Sequence, residues 1–99
     1  MSNRSHIRRH TIHYIKVFEE NTNRLTGHLA DISTSGMRLI SSEPIQPGSV
    51  HNFSMALPLA RFGWKTVNFD AESIWCRHDA NSNSYDTGFR FIGFSLERL

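Results

Sequence analysis

The stretch Val50-His51-Asn52-Phe53-Ser54-Met55-Ala56-Leu57 decides the fold class. Phe53, Met55 and Leu57 fall on one side of an extended chain, and Asn52, Ser54 and Ala56 on the other. A period of two sends one row of side chains to a core and the other outward, which is how a half-buried β-strand reads. The same period continues downstream. Lys65–Arg77 is expected to form a long strand with Val67, Phe69, Ala71 and Trp75 in phase, and its length predicts a bulge or bend near Glu72. After a polar loop, His78–Ser84, the last strand is expected over Tyr85–Phe94, with Tyr85, Phe89 and Phe91 in phase.

Upstream the pattern is again strand and turn. Thr11–Phe18 is rich in β-branched and aromatic residues, and the polar cluster Glu20-Asn21-Thr22-Asn23 ends it. Leu25–Ile32 reads as a second strand despite Gly27, Ser33–Gly36 as a turn, and Met37–Ile40 as a short third strand. Pro44, Pro47 and Gly48 mark one loop, and Pro58–Gly63 another. No stretch keeps a helical apolar period over three turns, so at most a short C-terminal helix is expected, starting at Ser95 as N-cap. Strands with short connections, and no long helix to cover a sheet, predict an all-β fold. The expected architecture is a six-stranded antiparallel β-barrel, because closure removes exposed strand edges.

A chain of 99 residues makes one domain, and 38% hydrophobic with 11% aromatic residues is enough to pack a core. Residues 11–99 are assigned to the barrel. Residues 1–10 form a basic arm with Arg4, Arg8 and Arg9, His6 and His10, and no acid, although the whole chain carries a net charge of only +2. An acid-free basic arm points to an anionic partner, and its plainer reading is a solvated tail. Cys76 is the sole cysteine, so no intramolecular disulfide forms, which fits a reducing compartment. No apolar segment follows the basic start, and no apolar run nears the roughly 20 residues needed to span a bilayer. A cytoplasmic protein with no membrane span is therefore expected.

Two local patterns carry chemistry. The first is Arg4-Ser5-His6-Ile7-Arg8, followed at once by Arg9. A guanidinium is a planar fork that grips phosphate oxygens or the O6 and N7 acceptors of guanine, and its face stacks on bases. The second is Asp31-Ile32-Ser33-Thr34-Ser35-Gly36 at a strand end. An aspartate accepts from the N1–H and N2–H₂ donors of guanine, Ser33 adds a hydroxyl, and Gly36 is expected to permit a positive φ where the chain reverses. Each pattern alone also has an ordinary explanation. Asp-x-Ser-x-x-Gly is common turn chemistry, and paired arginines occur in basic tails by chance.

Taken in order, the two patterns resemble the PilZ domain, the cyclic di-GMP-binding β-barrel of bacteria. That family carries Arg-x-x-x-Arg before its first strand and, after two strands, [Asp/Asn]-x-Ser-x-x-Gly. Arg4 and Arg8 match the first motif, and Asp31, Ser33 and Gly36 the second. The likeness extends through Ile45–Val50, Ala71–Arg77 and Tyr85–Ser95, and so covers nearly the whole chain. The resemblance implies a non-enzymatic receptor or adaptor. In it Arg4 and Arg8, with Arg9 sharing the work, clamp guanine edges and phosphates; Asp31 and Ser33 read a guanine edge; Gly36 shapes the turn. Trp75 is either a core aromatic or a stacking wall for a base. The arm is expected to order over the barrel on binding cyclic di-GMP and so signal to an unidentified downstream protein. Two other readings stand beside it: a PilZ-like protein–protein adaptor without ligand, and a small nucleic-acid-binding barrel, which the low net charge and Asp31 disfavour. Neither a metal site nor an enzyme is expected. His6, His10 and His13 lie on arm and strand, and no nucleophile has a base and an orienting partner.

Overall fold

Each strand buries one alternate row of side chains, and the rows meet inside a closed barrel. The computed structural model describes residues 15–59, 61 and 63–93. Six strands follow in chain order: β1 (Lys16–Glu19), β2 (Leu25–Ile32), β3 (Gly36–Ser41), β4 (Val50–Leu59), β5 (Gly63–Asp79) and β6 (Ser84–Ile92). They close in the order β1-β2-β3-β6-β5-β4, with every neighbouring pair antiparallel. No helix occurs among the described residues, and none is long and apolar enough to cross a membrane. The expected all-β antiparallel barrel is the observed fold.

The topology divides into two three-stranded meanders. β1-β2-β3 and β4-β5-β6 are each built from consecutive antiparallel neighbours, and they join along two seams, β1–β4 and β3–β6. Inside, Phe53, Met55 and Leu57 of β4 meet Val67, Phe69 and Ala71 of β5, Phe89 and Phe91 of β6, and Val17, Leu29 and Leu39 of the first meander. The rings pack edge to face: Phe53 on Phe89 at 5.3 Å and Phe69 on Phe91 at 5.4 Å between centroids. Full burial of one such side chain contributes about 1.5–3 kcal/mol, so this cluster dominates the stability of a small domain.

Several boundaries differ from expectation. β4 runs through Pro58, which pairs with Trp64, and only Ala60–Phe62 separate the two strands. β1 covers β4 only over Phe53–Met55. Beyond that stretch no described strand pairs with this edge of β4, and a residue without an N–H donor is tolerated on an edge. The 78–84 loop shrinks to Ala80–Asn83, where Asn83 takes the left-handed conformation (φ 54°). The expected strand residues 11–14 and Phe94, the C-terminal helix start, and the arginine arm 1–10 lie outside the described residues.

Candidate functional site

Two β-bulges build the site. In β2, Leu29 faces Leu39 of β3, yet Asp31 faces Arg38, so Ala30 is an extra residue. In β5, Ser73 faces Phe89 of β6, yet Trp75 faces Gly88, so Ile74 is an extra residue. By parity Asp31 shares the inward row of Leu29, and Trp75 that of Ala71 and Ser73. Each bulge shifts the phase and sends its residue to the outer face instead. The sequence expectation placed Trp75 in phase with Val67, Phe69 and Ala71. The bulge lies just past Glu72, and beyond it that phase no longer holds: Trp75 is 37% exposed, outside the core.

The outcome is one lateral row across four strands, Asp31–Arg38–Gly88–Trp75, every neighbour a register partner of the next. Gly88 makes room for the indole, because a Cβ there would collide with the Trp75 ring. The Arg77 guanidinium lies 4.9 Å from the centroid of the Trp75 ring, a cation–π contact. A groove of about 420 Å³ opens over this row, with Asp31, Ser33, Gly36, Trp75 and Arg90 on its walls.

The turn at its end is held by its own side chains. The Ser33 N–H donates to the Gly36 carbonyl at 2.8 Å. Ser33 Oγ accepts from the Ser35 and Gly36 N–H groups, each at 3.3 Å, and Asp31 Oδ1 accepts from the Ile32 N–H at 3.0 Å. Ser33 is thus occupied with ordinary turn chemistry. Gly36 corrects a second expectation. Its φ is not among the positive ones, and the need for glycine is close approach, since a Cβ would run into the Phe89 carbonyl of β6.

Charges around the groove pair in one direction. Arg38 Nη1 donates to Asp86 Oδ1 at 2.9 Å, and Arg90 donates to Glu72 Oε1 from Nε at 2.9 Å and Nη2 at 2.6 Å. Asp31 has no cationic partner among the described residues. Sequence reasoning missed Arg38, Asp86, Arg90, Glu72 and Arg77. The signal that reveals them is parity counted afresh after each bulge.

The profile of the PilZ domain family matches residues 2–98 of the 99-residue chain. The chain belongs to the PilZ domain family. PilZ domains are, as a family, cyclic di-GMP-binding modules that act by binding rather than by catalysis. No curated protein and no solved structure matches the chain. Of the PilZ motif positions, Asp31, Ser33 and Gly36 come together at the groove, Trp75 joins them from β5, and Arg4, Arg8 and Arg9 lie outside the described residues.

Proposed function

We propose that this PilZ domain is a cytoplasmic cyclic di-GMP receptor that binds its ligand on the outer barrel face, over the β3–β6 seam, and passes the signal to a protein partner. The observation that carries the reading is the placement of Asp31 and Trp75 in one outer row by two bulges. One supplies a carboxylate with no cationic partner among the described residues, suited to the N1–H and N2–H₂ donors of guanine, and the other a flat aromatic surface for a base.

Phosphates need more free cations than the groove offers. Arg38 and Arg90 are already paired with Asp86 and Glu72, and Arg77 is stacked on Trp75. The arm supplies the missing charge through Arg4, Arg8 and Arg9, and the ligand bridges arm and groove. Ser33 and Gly36 hold the turn that presents Asp31. The arm drawn against the barrel is the surface a partner reads.

The test is calorimetry with cyclic di-GMP, using GTP and single-stranded DNA as controls. Cyclic di-GMP alone is expected to bind. Arg8→Ala and Asp31→Ala are each expected to weaken binding about tenfold or more, the loss of a contact worth about 1–3 kcal/mol, without unfolding the barrel. Unchanged affinity in both folded variants sinks the assignment, and tighter binding to DNA turns it toward nucleic acid.

A further inference from the structure

Asp31 and Arg38 stand directly opposite each other on the outer face, one on β2 and one on β3. Side chains so placed have Cβ atoms about 4.5–5.5 Å apart, within reach of an ion pair. None forms. Arg38 instead reaches diagonally to Asp86 of β6 at 2.9 Å. The direct neighbours of Asp86 are Ile40 and Arg77, and Arg77 lies over Trp75. Gly88, the direct neighbour of Arg38 on β6, has no side chain to block the diagonal. The second groove arginine, Arg90, is likewise held on the far side, by Glu72.

We infer that Asp86 is a positioning residue of the groove: by holding Arg38 it keeps this arginine off the Asp31 carboxylate and leaves that carboxylate open to a ligand's donors. The inference rests on the receptor reading above for the identity of that ligand. Released from Asp86, Arg38 has one other carboxylate within reach, its register partner Asp31. An arginine seated there competes with the guanine edge for the same oxygens.

The sign of the effect is diagnostic. Deleting an acid near a doubly negative ligand should, on net charge alone, tighten binding. Competition predicts the reverse. In the full chain, Asp86→Asn is expected to weaken cyclic di-GMP binding about three- to fivefold, the equivalent of an exposed ion pair of up to about 1 kcal/mol. Adding Arg38→Met removes the competitor, so the double variant is expected to return to within about twofold of Arg38→Met alone. A ligand-free readout stands beside these. The Ile32 N–H donates to Asp31 Oδ1, so its amide resonance should move in Asp86→Asn and return in the double variant. Binding by Asp86→Asn that equals or exceeds the wild type, or a double variant as weak as Asp86→Asn, overturns the inference. If the wild-type chain does not bind cyclic di-GMP, the receptor reading fails alone. The Ile32 resonance then decides whether Asp86 restrains Arg38, and an unmoved resonance counts against it.

Discussion

Two polar clusters sit on this barrel, and they are used in opposite ways. At the end crossed by the β3–β4 connection, Glu19, His51, Ser49, Ser73 and the Gln46 carbonyl form a closed network. His51 bonds Glu19 Oε2 at 2.9 Å and Ser49 Oγ at 2.8 Å. Ser49 Oγ and Ser73 Oγ both reach the Gln46 carbonyl, at 2.5 and 2.6 Å. The first three have the spacing of a Ser–His–carboxylate relay. Yet the Gly48 N–H is taken by the Ser73 carbonyl and the Ser49 N–H by Ser73 Oγ, so neither remains to stabilise an oxyanion. On the outer face over β3–β6, by contrast, Asp31 accepts one local amide and has no cationic partner among the described residues. Similar residue types therefore serve the fold where every partner is internal, and stay available to a ligand, on the reading proposed above, where one acceptor is left over.

The largest separation of the two clusters is expected from Ser73→Ala. Ser73 is fully buried, and its hydroxyl joins the connection to β5. Removing its bonds to the Ser49 N–H and the Gln46 carbonyl, which keep only each other and Ser49 Oγ as partners, should cost about 1–2 kcal/mol in chemical denaturation. Cyclic di-GMP affinity should not change; a large loss of affinity would merge the clusters into one functional unit. Gly88→Val acts on the other side. The new side chain displaces the Trp75 indole, which should shift its Nε1–H resonance and lower affinity about tenfold, while stability falls by about 1 kcal/mol. Unaltered affinity would remove Trp75 from the site. The smallest effect belongs to neither cluster and calibrates both. Thr87 is fully buried and its Oγ1 has no hydrogen-bond partner among the described residues. Thr87→Val removes that orphan at equal shape and should raise stability by about 1 kcal/mol.

The strands were legible because their inward rows are apolar. Phe53, Met55 and Leu57, or Phe89 and Phe91, can face only a core, and five of the six strands begin and end within two residues of their expected limits. The site was legible as a set of residue types, not as a geometry. Asp31 could be named from the turn chemistry beside it, but its outward direction depends on one extra residue, Ala30, that leaves no mark in composition. Trp75 was counted in phase with Ala71, and it faces outward for the same reason, which removes the core reading and leaves the stacking one. A period-two count is a running sum, so a single bulge inverts every position after it. The Arg38–Asp86 pair joins β3 to β6, strands that only the closed topology brings together, and the Arg90–Glu72 pair joins neighbouring hairpin strands whose register is set beyond a bulge.

That closure gives the β3–β6 seam a kinetic meaning. Gly36 pairs with Arg90, half the chain away, whereas the pairs within each meander are local. Local hairpins form early, and contacts that close long loops form late. The groove takes Asp31 and Arg38 from one meander and Trp75, Gly88 and Arg90 from the other, so it does not exist until the seam has zipped. A molecule seated across it is a staple applied after assembly. It should slow unfolding and leave the folding rate alone, so that ligand concentration sets how long a finished barrel survives rather than how quickly one is made.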